Sequence, residues 1–131
     1  MNADERQELV KYRISKARET FNEVNLHISN SLWNTAVNRL YYSCYYAVIA
    51  LLIEKELQPQ THSGVRQMFG LHFIKTGIID NSSGKFFTDI YDLRQSSDYD
   101  DYVTFDQDIV MDLLDPANEL ITKIENLLSS K

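Results

Sequence analysis

The chain has 131 residues, the length of a single domain, and can bury a core without disulfides or a metal. Its one cysteine, Cys44, excludes an internal disulfide and a disulfide-stapled secreted scaffold, and favours a reducing cytoplasm. The formal net charge is −6, and most of the acidic excess lies in residues 78–131. An acidic chain is a poor generic binder of duplex DNA, although a local basic pocket is compatible with it.

Two features of the N-terminal half argue against export and membrane insertion. The polar start Met1–Asp4 is unlike a secretory signal. The longest apolar run, Cys44–Ile53, is much shorter than the roughly 20 residues of a membrane span. We therefore expect a cytoplasmic protein that does not enter a membrane.

The first two helices follow from the spacing of apolar residues. Apolar side chains recur every three to four positions from Val10 to Ile28, which predicts a helix over about 5–28. A second helix is predicted over about 32–57, with Ser31 as its N-cap. Its second half is apolar on all sides, so it must lie at the centre of a bundle or in a dimer interface.

Shorter helices are predicted in the middle of the chain. A third helix covers about 62–76 and ends at Gly77, a natural C-cap. A turn over 80–84 separates it from a fourth helix over about 85–97.

The last element follows an acidic connector, Ser96–Asp101, and covers about 105–129. Its apolar period continues across Pro116, which predicts one kinked helix. No stretch alternates like a β-strand. The sequence predicts an all-α, up-and-down antiparallel bundle of four to five helices in one domain over 1–131.

A first candidate site lies in the second helix. Asn38 and Tyr42 share one helix face, and Arg39, Tyr42 and Tyr46 share an overlapping one. Arginine and tyrosine side chains together can hold a nucleotide or a phosphate. Alternatively, these tyrosines belong to the core and place only their hydroxyls at its boundary.

A second candidate is Arg94, which precedes an acidic segment with tyrosines. Arg94 and Asp98 are four residues apart and can pair across one turn. The pair is either a surface ion pair worth about 0–1 kcal/mol or part of a phosphate clamp. A Mg²⁺ site from Asp98, Asp100 and Asp101 is a further alternative, although we expect neither a metal nor a cofactor.

A third candidate lies at the start of the third helix. Thr61 is the expected N-cap, and helix N-termini favour anions. The neighbouring His62 is a candidate ligand or proton carrier, or else part of a local capping device.

Taken together, these motifs resemble the HEPN family (higher eukaryotes and prokaryotes nucleotide-binding) over about residues 5–128. The resemblance is carried in order by Asn38-Arg39-x-Tyr41-Tyr42, Leu57-x-Pro59-x-Thr61-His62-x-Gly64, Leu71-His72-Phe73-x-Lys75-Thr76-Gly77 and Leu93-Arg94-x-x-x-Asp98-Tyr99. It implies a helical bundle that forms a homodimer. Many relatives are ribonucleases, often toxins paired with a minimal nucleotidyltransferase antitoxin.

The resemblance also implies a metal-independent cleavage motif, an arginine followed after about four to six residues by a histidine. Arg94 fits the arginine, but Tyr99, Asp100 and Asp101 stand where the histidine would fall. His62 matches a different segment of the family pattern and receives no catalytic role from it.

Three hypotheses follow. The first is a module that binds a nucleotide or RNA phosphate, or a nucleotidyltransferase partner, through a dimer cleft without efficient catalysis. The second is a toxin-type endoribonuclease centred on Arg94, and the third is a purely structural helical adaptor. The ligand-binding candidates are Asn38, Arg39, Tyr42, Tyr46, His62 and Arg94, and the catalytic candidates are Arg94, Asp98, Tyr99 and Asp101.

Overall fold

The structure, a computed structural model, describes residues 1–99 and 103–130, with Tyr99 described by its backbone alone. Its helices are α1 (Ala3–Ser29), α2 (Trp33–Glu54), α3 (His62–Phe69), α4 (Asn81–Tyr99) and α5 (Gln107–Ser129). The described ranges contain no β-strand. The prediction of an all-α bundle is confirmed.

Helix α2 is the central element, because it packs against each of the other four helices. Near the end of α2, Glu54 and Glu56 accept hydrogen bonds from Gln7 at 2.9 Å and Arg6 at 3.2 Å, so α1 and α2 run antiparallel. At the other end, Asn38 of α2 contacts Asp98 near the end of α4, so these two helices are antiparallel as well.

The apolar character of α2 explains its position. The residues buried on this helix are Ala36, Val37, Leu40, Tyr41, Ser43, Cys44, Ala47, Val48, Ala50, Leu51 and Leu52. By length and composition alone α2 could cross a membrane, but most of its apolar window is covered by the bundle. Its hydropathy is that of a core helix. Burial raises the pKa of the Cys44 thiol to about 12, as expected for a small core residue.

Two helix boundaries differ from the prediction. Ser31 does not cap α2, since it adopts a left-handed backbone with φ of 57°, and the capping position is Leu32 without a side-chain hydrogen bond. The helix then ends at Glu54 rather than near 57, because Glu56 is also left-handed, with φ of 61°.

The third predicted helix is shorter and less regular than its apolar period indicates. Residues Gly70–Ile74 form a π-helical turn after α3, and Lys75 N–H donates to the Gly70 carbonyl at 2.8 Å. The extra residue in this turn keeps Phe73 buried with Phe69. Gly77 then has φ of +80°, the left-handed conformation that the prediction assigned to a C-cap.

The bounds of the fourth helix differ from the prediction, whereas the continuity of the fifth helix agrees with it. Helix α4 begins at Asn81 rather than near 85, because the Asp80 side chain accepts from the Ser83 N–H at 3.1 Å and caps it. It also continues through the expected connector as far as Tyr99. Helix α5 runs unbroken through Pro116, as predicted.

The cap at Asp80 generates a pH prediction. Lys123 donates to Asp80 at 2.6 Å, and this bond, with those from Ser82 and Ser83, holds the pKa of Asp80 well below its ordinary value. A carboxyl group with a lowered folded-state pKa stabilises the fold above its unfolded pKa of about 3.9 and loses this effect as the pH falls.

We therefore expect Asp80→Asn to lower the free energy of unfolding by about 1 kcal/mol at pH 7, with the deficit shrinking below about pH 4. The measurement is urea unfolding over a pH series. Asp106→Asn is the control, because Asp106 caps α5 through Ile109 N–H without a lysine among its described contacts. A loss of unfolding free energy in Asp80→Asn that stays constant down to about pH 2 would contradict this explanation.

Gly84 generates a packing prediction. A Cβ atom at Gly84 would lie 2.8 Å from Cγ1 of Ile74, whereas a Cβ at Gly70 would have no neighbour within 4 Å. Alanine ordinarily favours a helix over glycine by about 1 kcal/mol. We expect Gly84→Ala to destabilise the protein despite this preference, while Gly70→Ala is neutral or stabilising. Thermal unfolding of both variants checks this, and an equal effect at the two sites would refute it.

Candidate functional site

A cluster of aromatic and basic side chains lies where α2, the start of α3 and the end of α4 meet. We call it the arginine–tyrosine cluster. Its members are linked by a chain of ring and cation–π contacts and comprise Tyr41, Tyr42, Tyr45, His62, Tyr91 and Arg94. The elements that supply them are far apart in the sequence, so the fold assembles the cluster.

Arg94 is the centre of this cluster and is only 7% exposed. Its guanidinium carbon lies 4.9 Å from the ring centre of Tyr41, 5.5 Å from that of Tyr42 and 5.9 Å from that of Tyr91. Aromatic faces attract cations, which offsets part of the cost of burying the charge. Its Nε atom is buried and has no hydrogen-bond partner among the described residues. The guanidinium therefore keeps hydrogen-bonding capacity for another group.

Asp98 is the carboxylate partner of Arg94. Its Oδ2 accepts from Arg94 Nη1 at 3.1 Å, as the spacing of four residues predicts. The Asn38 amide donates to both Asp98 oxygens, at 3.4 and 3.3 Å. The side chain of Asp98 is 32% exposed and that of Arg94 8%. The alternative of an ordinary surface ion pair is therefore wrong, because the cation lies inside the protein.

His62 enters the same cluster from the first turn of α3. Thr61 is the N-cap, as predicted, and accepts from the Gly64 N–H at 2.9 Å. The His62 Nδ1 atom lies 2.7 Å from the Tyr41 hydroxyl, and its ring stacks on Tyr45 at 4.6 Å. Burial, and next the charge of Arg94, lower the pKa of His62, so the imidazole is neutral at pH 7.

The tyrosine that holds His62 is itself fully buried. Tyr41 is inaccessible to solvent, and its pKa is raised by burial, against the opposing effect of Arg94. The phenol therefore stays protonated and neutral across the physiological range. It is a fixed hydrogen-bonding partner for Nδ1 of His62.

Three further arginines surround the cluster. The Arg66 guanidinium carbon lies 4.7 Å from the ring centre of Tyr91, and that of Arg39 lies 5.5 Å from Tyr42. Arg13 of α1 lies close enough to Tyr45 to lower the pKa of that phenol, against the larger effect of burial.

Carboxylates neutralise these arginines only in part. Arg66 pairs with Asp92 at 3.7 Å. Arg39 and Arg13 form no ion pair among the described residues. Among the residues that the structure describes, the surroundings of the cluster are therefore locally basic in a chain that is acidic overall.

Most of the predicted site residues lie at the cluster, but not all of them. Asn38, Arg39, Tyr42, His62 and Arg94 all lie in the cluster or directly against it. Tyr46 lies at the edge and makes ring contacts with Tyr42 and Tyr45.

Three residues of the acidic segment cannot be placed in this way. The side chain of Tyr99, together with all of Asp100 and Asp101, lies outside the described part of the chain. Of the carboxylates named for a Mg²⁺ site, Asp98 alone is described, and it binds Arg94 and Asn38. Within the ranges 1–99 and 103–130, no three metal-ligating side chains come together.

Five members of the cluster and its surroundings were not among the predicted site residues: Tyr41, Tyr45, Tyr91, Arg66 and Arg13. A signal existed for Tyr91, which precedes Arg94 by three residues and so shares its helix face. By their helical spacing alone, Tyr41 and Tyr45 are ordinary core positions. Nothing local marks Arg66.

A separate groove between α1 and α5 has a volume of about 850 Å³. It shares no lining residue with the cluster. Arg18 crosses it and donates to Glu125 at 2.6 Å and to Asn118 at 2.6 Å. These bonds hold α1 against α5, so we interpret Arg18 as structural.

The cluster combines two properties that suit a nucleotide. Guanidinium groups recognise phosphates through directed hydrogen bonds, and exposed faces of tyrosine and histidine rings stack on bases. A half-buried site with excess positive charge beside π-faces is thus chemically suited to an anion that carries a flat ring.

Comparison with known proteins identifies the family of this chain. The model of the HEPN domain matches residues 10–127. A UPF0332 protein of Thermotoga maritima is 34% identical over 125 residues, which covers 95% of each chain.

A second relative comes from Methanocaldococcus jannaschii, and its name marks it as a candidate toxin. It is 37% identical over 114 residues, which covers 83% of this chain and 78% of the relative. The family match spans nearly all of the bundle described above, including every member of the arginine–tyrosine cluster. The chain therefore belongs to the HEPN domain family.

Proposed function

We propose that this HEPN domain binds RNA or a nucleotide through its phosphate at the arginine–tyrosine cluster. The proposal rests on the burial of Arg94, which is only 7% exposed. The buried Nε of its guanidinium has no hydrogen-bond partner among the described residues. An arginine cannot lose its proton in a protein, so it needs compensation from its surroundings. One shared carboxylate and three aromatic faces give that compensation only in part.

The position of Asp98 supports binding at the remaining donors of Arg94. Asp98 engages Nη1 and is held by Asn38, so it orients the guanidinium instead of enclosing it. A phosphate oxygen that accepts from Nε would complete the hydrogen bonding of the fork. Arg39 and Arg66 flank the same tyrosines and would attract the neighbouring phosphates of a single strand.

Two relatives, both from Methanocaldococcus jannaschii, are named as candidate toxins, which supports the toxin-type role implied by the family resemblance. The homodimer and the nucleotidyltransferase partner implied by the family resemblance belong to the same proposal. A stripe on α2 supports the dimer, because the side chains of Tyr42, Tyr46, Ile49 and Ile53 stay partly exposed in the single chain. Light scattering tests the dimer, and copurification with the nucleotidyltransferase tests the partner.

The direct test is fluorescence anisotropy with a dye-labelled, single-stranded RNA whose 2′-hydroxyls are methylated, so that it cannot be cleaved. We expect Arg94→Gln to weaken binding by about tenfold or more, because a hydrogen bond to a charged group contributes about 1.5–3 kcal/mol. Lys85→Gln is the matched control, since it removes one positive charge from an exposed position on the same helix.

Equal affinities of the wild type, Arg94→Gln and Lys85→Gln would remove the proposed site, provided that circular dichroism shows all three folded. Absence of binding by the wild type to the RNA and to mononucleotides at millimolar concentration would remove the proposed function itself.

A second variant tests the flanking charge. Arg39 is half-buried and lacks a described ion pair, so its contribution is electrostatic and screened by salt. We expect Arg39→Gln to weaken RNA binding by about two- to fivefold at 50 mM salt, and to reduce the slope of log Kd against log salt by about 0.7. An unchanged slope would exclude contact between Arg39 and the RNA backbone.

A further inference from the structure

We propose that His62 is the proton carrier of an RNA-cleaving reaction at the arginine–tyrosine cluster, in place of the histidine that is missing after Arg94. This inference rests on the proposed phosphate site and adds an activity to it. The family resemblance assigns His62 no catalytic role, because His62 matches a different segment of the family pattern and lies on another helix than Arg94.

The first argument is the proximity of His62 to Arg94. Tyr41, Tyr42 and Tyr91 each contact both side chains, with ring-centre distances to His62 of 5.8, 6.0 and 6.4 Å. Both groups therefore face one small region bounded by three rings. A phosphate held by Arg94 would lie within reach of the imidazole.

The second argument is that His62 is held in a defined position. Thr61 caps α3, and the absence of a side chain at Gly64 lets Pro59 and Thr61 approach closely, since a Cβ there would lie 3.1 Å from each. Tyr41 binds Nδ1, while Nε2 has no hydrogen-bond partner among the described residues. When Nδ1 carries the proton and donates to Tyr41, Nε2 presents a lone pair to a bound ligand.

The third argument is the protonation state. Among the described residues, the titratable and charged groups around His62 are Tyr41, Tyr42 and Tyr45 from α2, Tyr91 and Arg94 from α4, and Arg13 of α1 beyond Tyr45. None of these is a carboxylate, and the nearby arginines oppose protonation. The imidazole is thus available as a base at neutral pH, which is the form that accepts a proton.

The reaction needs no other reagent. His62 Nε2 takes the proton of a ribose 2′-hydroxyl, and the 2′-oxygen forms a bond to the adjacent phosphorus. The bond between phosphorus and the 5′-oxygen breaks, and the leaving oxygen takes a proton from water or from the imidazolium. Arg94 stabilises the negative charge that builds up on the phosphate oxygens. The products are a 2′,3′-cyclic phosphate and a 5′-hydroxyl.

The test compares cleavage and binding in the same proteins, in the presence of a chelator. The substrate is a dye-labelled single-stranded RNA, and its 2′-O-methyl form is the binding probe. The variants are His62→Gln, His62→Asn and Arg94→Gln, with His72→Gln as the matched control on the protein surface. His62→Asn keeps an amide near the position of Nδ1, so it preserves the contact with Tyr41.

We expect the wild type to cleave the RNA to a cyclic phosphate product, identified by mass spectrometry, and to leave the 2′-O-methyl form intact. Both His62 variants should lose about 100-fold or more in kcat/KM while their affinity for the probe changes less than about twofold. Arg94→Gln should lose binding and cleavage together, and His72→Gln should match the wild type. The wild-type rate should fall only when the pH drops below the lowered pKa of His62, which lies under the ordinary histidine value of about 6.5, because the imidazole then becomes protonated.

Several outcomes would overturn the inference. A wild type that binds the probe but does not cleave RNA removes the activity and leaves the proposed binding function standing. Cleavage that persists in a folded His62 variant removes the role of His62. If neither variant folds, a wild-type rate that rises instead of falling as the pH is lowered below about 6.5 has the same consequence, because a general base loses activity when it is protonated. Failure of the wild type to bind any probe refutes the proposed function instead.

Discussion

The burial of one guanidinium group governs the arrangement of this bundle around its candidate site. Arg94 lies almost wholly inside the protein, and burying an arginine requires partners because its charge cannot be removed. Asp98 supplies one partner, and the faces of Tyr41, Tyr42 and Tyr91 supply the others. These contacts bring the beginning of α2 against the end of α4. Among the described residues they also leave the charge incompletely neutralised, which is the basis of the phosphate site that we propose.

The same residues serve the core and the site. Tyr41 is fully buried and stacks near Phe87, yet its hydroxyl holds His62 at the boundary of the cluster. Core packing of Tyr41 is therefore confirmed, while the interpretation of the tyrosines as a nucleotide or phosphate site stays a prediction. Packing also fixes the side chains before a ligand arrives, and preorganised groups bind and stabilise charge at a lower entropic cost.

Local periodicity predicted the parts of this protein that depend on neighbours in sequence. It located the apolar stripe of α1, the continuity of α5 through Pro116 and the pairing of Arg94 with Asp98. Periodicity did not predict helix boundaries that depend on loop conformation. Ser31, for example, adopts a left-handed backbone instead of capping α2. The contact between His62 and Tyr41 spans 21 residues, including the loop around Pro59, and no spacing rule encodes it. Periodicity predicted the helical bundle and the family resemblance agreed with it, but for catalysis the resemblance directed attention to the segment after Arg94 rather than to α3.

The central claim is that a nucleic acid phosphate binds at the donors of Arg94 that Asp98 leaves available. The most direct measurement is nitrogen-15 NMR of the side chains while a 2′-O-methyl RNA is added. The account predicts that the Arg94 Nε–H and the His62 ring nitrogens shift together and saturate at one RNA concentration, while Arg18 in the α1–α5 groove stays unchanged. Shifts confined to Arg18 and its neighbours, with Arg94 and His62 unaffected, would contradict it.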